Sequence, residues 1–189
     1  MEKILFVDAC MRPASRTRAL AEVLLERLGG RVECLDLQAE GLRPLDNAAL
    51  EKREALIHAG DYSDPLFRWA KAFAAADTVV IAAPYWDLSF PALLRIYLEA
   101  VAVRGLTFTY TPQGWPMGLC RAKRVFYVTS SGGPVMDMNY GFDYVAALMQ
   151  KLFGIPDVRC VKAENLDIVG ADVEAILGAA AREIREMEI

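Results

Sequence analysis

Three short stretches of this chain combine residue types that can grip a ligand. In Arg12-Pro-Ala-Ser15-Arg16-Thr17-Arg18, two hydroxyls and three arginines gather where a helix begins. Hydroxyls, unpaired backbone N–H groups and the positive end of a helix dipole together suit a phosphate. The chain as a whole carries a net charge of −4, so a local run of arginines stands out against it. For this stretch alone an ordinary reading is as good: Ser15 caps a surface helix and the arginines are solvated. The second stretch, Pro84-Tyr-Trp-Asp-Leu-Ser-Phe90, sets the large aromatics Tyr85 and Trp86 and a carboxylate between Pro84 and Pro91. Its backbone and the Tyr85 and Trp86 rings could lie along a flat ring system, or the aromatics could anchor a core or an interface. The third, Ser130-Ser131-Gly132-Gly133, is small enough for a flat ring to approach the backbone and would otherwise be a plain turn. The coincidence of all three weighs more than any one.

Composition narrows the classes. The chain has 189 residues, enough for one domain over 1–189 with a sizeable core. The mild negative charge and the lack of a basic stripe argue against a nucleic-acid binder. Cys10, Cys34, Cys120 and Cys160 show no C-x-x-C spacing, and three lie in or beside apolar runs, as buried thiols do. With His58 the only histidine, no zinc site is expected, nor any metal. The apolar run at the N-terminus is too short for a signal peptide, and no run reaches membrane-spanning length. The expectation is a cytoplasmic protein without membrane insertion.

The elements that must position the three stretches can be read in order. Lys3–Ala9 forms strand one, and Ser15 caps a helix with Leu20, Val23, Leu24 and Leu28 on one face, ended by Gly29-Gly30. Arg31–Leu37 alternates as strand two, completing a right-handed β-α-β unit. Asp46–His58 is a mostly polar helix stopped by Gly60. Asp64-Pro65 opens another, with Leu66, Trp69, Phe73 and Ala76 inward. Thr78–Ala82, bounded by Asp77 and Pro84, is an apolar, β-branched run and reads as strand three, buried on both faces. Pro91 starts a helix carrying Leu94, Tyr97, Leu98 and Val101 that ends at Gly105. Leu106–Thr111 alternates and then turns at Pro112–Pro116, a hairpin-like insertion outside the main sheet. Strand four (Arg124–Ser130), a helix (Tyr140–Phe153), strand five (Asp157–Ala163) and a closing helix (Asp172–Met187) follow, the last with Val173, Ile176, Leu177, Ala180 and Ile184 inward.

Five strands alternating with helices predict an α/β doubly wound parallel sheet. A dinucleotide-binding order would want G-x-G-x-x-G after strand one, and Cys10–Ser15 holds no glycine. The flavodoxin-like order, 2-1-3-4-5, brings the loops after strands one, three and four around one crevice. Those loops are the three stretches above.

On these residues the chain resembles the flavodoxin-like NAD(P)H-dependent oxidoreductases of the FMN-dependent azoreductase and quinone reductase type, over nearly its whole length. Ala83-Pro-Tyr-Trp-Asp-Leu-Ser-Phe-Pro91 is similar to that family's A-P-M-Y-N-F-x-x-P, and Thr129-Ser-Ser-Gly-Gly133 to its T-S-R-G-G. Ser15-Arg16-Thr17 resembles its S-x-S, and Gly105-Leu-Thr-Phe-Thr-Tyr110 and Gly118-Leu119 with Lys123 extend the likeness. The resemblance implies that Ser15, Arg16 and Thr17, with Arg12 in the same loop, hold the phosphate of FMN. It implies that Pro84, Tyr85, Trp86, Asp87 and Leu88 contact the ring, and that Ser130, Ser131, Gly132 and Gly133 line its other edge. Two departures stand out: Asp87 replaces an asparagine, and Ala9-Cys10 replaces a small or polar residue.

The implied activity is ping-pong reduction of a quinone or similar two-electron acceptor, azo compounds included. NADH or NADPH passes hydride to the flavin and leaves, and the acceptor takes its place. The chemistry belongs to the cofactor, so no side-chain acid or base is nominated. Relatives complete the pocket at a two-fold homodimer interface, which Trp86, Phe108, Tyr110 and Trp115 could serve here, though a monomer core could absorb them. The alternative is a flavodoxin-like electron carrier or a non-catalytic regulatory subunit. A carrier would be more acidic and would lack the insertion. A flavin-free protein binding another phosphate-bearing ligand is a third reading.

Overall fold

The computed structural model describes residues 1–189. Five parallel strands, β1 (Lys3–Asp8), β2 (Arg31–Asp36), β3 (Thr78–Ala82), β6 (Arg124–Ser130) and β7 (Asp157–Ala163), form one sheet in the order β2-β1-β3-β6-β7. This is the 2-1-3-4-5 arrangement read from the sequence. At the centre, every residue of β3 is buried, as its unbroken apolar run requires of a strand covered on both faces. The edge strand β2 is largely exposed and mixes charged with apolar residues.

The strand period of two divides the core. Leu5, Val7, Val79, Ile81, Val125 and Tyr127 face one side, against α3 (Arg68–Ala74), α4 (Ala92–Val101) and α5 (Tyr140–Lys151). Ile4, Phe6, Val80, Ala82, Phe126 and Val128 face the other, against α1 (Arg16–Leu28) and α6 (Val173–Glu186). In α6, Ala180 and Ile184 are buried and Val173, Ile176 and Leu177 pack half-buried beside them. α2 (Asn47–Ala59) buries no residue, in keeping with its polar surface. No helix is long and apolar enough to cross a membrane.

Helix ends follow their caps. Ser15, Asp46, Asn139 and Asp172 each accept a hydrogen bond from a first-turn N–H, and Gly29 and Gly60 close α1 and α2 in the left-handed region. The segment opened by Asp64-Pro65 differs from the expected helix. It starts as a 3₁₀ turn over Pro65–Phe67, which rotates Phe67, Ala70 and Phe73 inward and leaves Leu66 and Trp69 half-buried. α4 also stops earlier than expected, at Val101 rather than Gly105. The buried Thr107 hydroxyl donates to the Val101 carbonyl at 2.7 Å and accepts from the Val103 N–H at 3.1 Å, taking over groups the helix would have used.

The expected insertion is a two-stranded antiparallel hairpin, β4 (Phe108–Tyr110) with β5 (Pro116–Gly118), outside the main sheet. Phe108 belongs to the core, whereas Tyr110 and Trp115 are exposed. The hairpin is fastened beside the end of α5: a Cβ on Gly118 would come within 2.1 Å of the Phe153 carbonyl oxygen. Gly118→Ala is therefore expected to cost about 1–3 kcal/mol through overpacking against rigid backbone. A lower urea midpoint with an unchanged slope would show it; an unchanged midpoint would show that the hairpin is free to shift.

Candidate functional site

The three stretches meet at the carboxyl end of the sheet, around a cavity of about 340 Å³. That is the lower part of the range typical of small-molecule sites. The loop after β1 contributes Arg12, Ser15, Arg16 and Thr17, the loop after β3 contributes Pro84, Tyr85 and Trp86, and the loop after β6 contributes Ser130, Ser131 and Gly132. Asp87, Leu88 and Gly133 were expected with them and lie outside the lining. Met11 and Ala14 line the cavity from within the first loop. Leu166 and Asp167, in the loop after β7, join it unforeseen. Their N–H groups bond the carbonyls of Ser131 and Gly132 at 3.1 and 2.9 Å, a tertiary pairing without local pattern.

The start of α1 is built to receive an anion. Ser15 sits in extended backbone and its Oγ accepts the Arg18 N–H at 3.2 Å. The N–H groups of Ser15, Arg16 and Thr17 have no intramolecular acceptor. No acidic residue stands in the first turn, so the positive end of the dipole is not neutralised there.

The four polar side chains beside those groups divide into distinct tasks. Arg12 is exposed and its guanidinium makes no hydrogen bond or ion pair. Arg16 bonds Asp167 Oδ1 at 2.8 Å and the Leu166 carbonyl at 3.1 Å, which ties α1 to the loop after β7. The Thr17 hydroxyl is buried and shares a 2.6 Å hydrogen bond with Ser130 Oγ, joining the first loop to the third. Arg18 turns away from the cavity to Asp8 and to backbone carbonyls, so of the three arginines only two face the anion end.

In the loop after β3, Trp86 and Ser89 exchange N–H···O=C hydrogen bonds of 3.1 and 2.8 Å. Between them Asp87 (φ 50°) and Leu88 (φ 66°) make a two-residue turn with both φ positive, the type I′ pattern. Such turns favour Asn and Asp, so the backbone alone accounts for Asp87, and its carboxylate stands in solvent. Leu88 has no comparable excuse and carries strain. The Tyr85 hydroxyl donates to the Met138 carbonyl at 2.9 Å and holds the base of the loop. In the third loop, a Cβ on Gly132 would meet Asp167 Oδ2 at 2.5 Å, so this glycine admits the close contact, whereas Gly133 stands in open space.

No nucleophile emerges from the surroundings. Burial pushes the Cys10 thiol up to about 12, so it stays protonated behind the first loop. Burial likewise raises the Tyr127 phenol, whose oxygen has no hydrogen-bond partner. No group of His, Cys, Asp and Glu side chains gathers closely enough to hold a metal ion.

A family model described as flavodoxin-like fold matches residues 2–187. The chain belongs to the flavodoxin-like family. Among the relatives of this flavodoxin-like chain, FMN-dependent NADH:quinone oxidoreductase 2 of Clostridium acetobutylicum is 35% identical over an alignment of 199 positions, 98% of each chain. The FMN-dependent NADH:quinone oxidoreductase of Clostridium beijerinckii is 32% identical over 195 positions, again 98% of each. Among solved structures, an azoreductase from Bacillus anthracis str. Sterne matches with a TM-score of 0.84 at 27% identity, covering 98% of both chains.

The strained turn gives a test of the second loop. In this flavodoxin-like chain the order of stability is expected to be Leu88→Gly, then wild type, then Leu88→Ile, spanning about 1–2 kcal/mol. Urea midpoints that do not follow this order would mean that residue 88 leaves the left-handed region in solution.

Proposed function

We propose that this flavodoxin-like chain is an FMN-dependent NAD(P)H oxidoreductase that reduces quinones and related two-electron acceptors, with azo compounds as a further acceptor class. The observation that carries the reading is the crevice itself. An unneutralised helix N-terminus with three unpartnered N–H groups adjoins walls made by Tyr85, Trp86 and the bare backbone of Gly132. An anion end joined to a slot for a flat ring fits a phosphate-bearing flavin. The names of the relatives, FMN-dependent NADH:quinone oxidoreductases, support the same cofactor and NADH as the donor.

In this reading the N–H groups of Ser15, Arg16 and Thr17 take the phosphate, with Arg12 and Arg16 supplying positive charge. The Thr17 hydroxyl shares a hydrogen bond with Ser130, which fixes its position beside the backbone N–H groups. Pro84, Tyr85 and Trp86 flank one edge of the ring, and Ser130, Ser131 and Gly132 the other. Asp87 and Leu88 shape the turn that presents Trp86. Bound FMN supplies the two-electron redox chemistry; the chain supplies position and electrostatics. Trp86 is 40% exposed, so the crevice is open on that side and a nicotinamide and an acceptor can occupy it in turn. The exposed Tyr110 and Trp115 support a homodimer in which a second copy covers apolar surface, and a cytoplasmic location belongs to the same proposal.

The test is an anaerobic absorbance spectrum of the FMN-incubated, desalted protein, followed by NADH and then a quinone. The proposal expects a retained flavin band that NADH bleaches and quinone restores. A band that neither NADH nor NADPH bleaches would point to an electron carrier, and no flavin binding would sink the reading. Ser15→Asp isolates the phosphate end. Aspartate caps a helix as well as serine does, so stability holds, while its charge repels a phosphate. FMN affinity is expected to fall at least about tenfold, read as the Kd from fluorescence quenching.

A further inference from the structure

Arg18 belongs to the loop that would hold the phosphate, yet its guanidinium points away from the cavity. We infer that Arg18 is a positioning residue for the phosphate end of the flavin site, a role that rests on the flavin reading above. Clamped to the buried Asp8, its guanidinium gathers the carbonyls of the first loop on the side away from the ligand and so turns N–H groups toward it.

The contacts are specific. Arg18 Nε pairs with Asp8 Oδ2, Nη2 donates to the Cys10 carbonyl at 3.0 Å, and Nη1 donates to the carbonyls of Arg12 and Pro13, both at 3.1 Å. Asp8 is only 3% exposed, and its other oxygen accepts the Cys10 N–H at 2.9 Å. Gln38 Nε2 reinforces the same Cys10 carbonyl at 3.0 Å.

A trans peptide points its C=O and N–H in opposite directions. The Cys10 carbonyl shares its peptide with the Met11 N–H, and the Pro13 carbonyl shares its peptide with the Ala14 N–H. With both carbonyls drawn to Arg18, these N–H groups face the other way. Neither has an intramolecular acceptor, and Met11 and Ala14 both line the cavity. The peptide between them ends in Pro13, which has no N–H to lose. A loop without glycine thereby gains two N–H groups beside the three at the start of α1.

Arg18 could instead serve only to neutralise the buried Asp8. Riboflavin separates the two roles, because it presents the same ring without the phosphate. Apo wild type, Arg18→Lys and the double variant Asp8→Asn/Arg18→Gln are titrated with FMN and with riboflavin by fluorescence quenching. The double variant leaves no buried unpaired carboxylate, so it folds even where Arg18→Gln alone does not. Lysine keeps the charge opposite Asp8 but cannot fork to three carbonyls.

The inference expects FMN affinity to fall on the order of ten- to a hundredfold in the double variant, as a displaced binding group does. Riboflavin affinity is expected to stay within about twofold, and Arg18→Lys to restore thermal stability but only part of the FMN affinity. An FMN-to-riboflavin affinity ratio equal to that of wild type would overturn the inference while leaving the flavin reading intact. Wild type that binds no FMN would overturn the flavin reading, and the inference with it.

Discussion

The common register of β1, β3 and β6 is the constraint on which the site depends. Asp8 pairs with Ala82, and Ala82 with Val128, so β1 and β3 end at one level and β6 runs two residues further, to Ser130. The ladder continues past the strands through Ala9 N–H to Ala82 O, Ala83 N–H to Val128 O and Tyr85 N–H to Ser130 O, at 2.9 to 3.0 Å. A one-residue slip would turn every side chain of a strand to the other core and move its loop out of the crevice. Because β3 is apolar and buried on both faces, its register is held by the ladder and the flanking loops rather than by an apolar–polar alternation. Pro84 and Tyr85 are thus held at the crevice by hydrogen bonds that extend the sheet ladder up to its wall.

Much of this frame is legible in the sequence, for physical reasons. Thr78–Ala82, Arg124–Ser130 and Asp157–Ala163 match the observed strands end to end. The first two are inner strands covered by helices, whose apolar runs polar residues or proline must interrupt, and the third is an edge strand that mixes polar with apolar residues. The helix starts at Ser15, Asp46 and Asp172 carry their signal in one side chain each. Other features carry no such signal. The inward rotation of Phe67 and Ala70 follows from a 3₁₀ turn, which shifts the helical phase by an amount that the apolar spacing does not encode. Leu166 and Asp167 reach the cavity by pairing with a loop more than thirty residues away. That contact exists only once β6 and β7 are side by side. Trp86 and Asp87 are neighbours in one loop, yet Trp86 lines the cavity and Asp87 stands in solvent, with a two-residue turn between Trp86 and Ser89.

The arginines of the first loop look alike in the sequence and differ in environment. Arg16 and Asp167 form an exposed pair, with side chains 37% and 65% accessible, and such pairs contribute roughly 0–1 kcal/mol. Arg16 can exchange this partner for a stronger anion at little cost. Arg18 faces a nearly buried carboxylate, and separating that pair would strand a charge at a cost of about 3–5 kcal/mol. One cation is therefore available to a ligand and another is fixed in the frame, although both stand in the first turn of the same helix.

The Arg18 guanidinium touches its loop only through carbonyl oxygens, at Cys10, Arg12 and Pro13. Every amino acid supplies a carbonyl. The identity of the residues at these positions can drift, apart from the missing N–H at Pro13, without removing a single acceptor from the clamp. Loops that take their shape from glycine distribute the requirement over several positions, each intolerant of a side chain. Here the requirement on backbone shape is concentrated in one arginine downstream and the carboxylate that holds it.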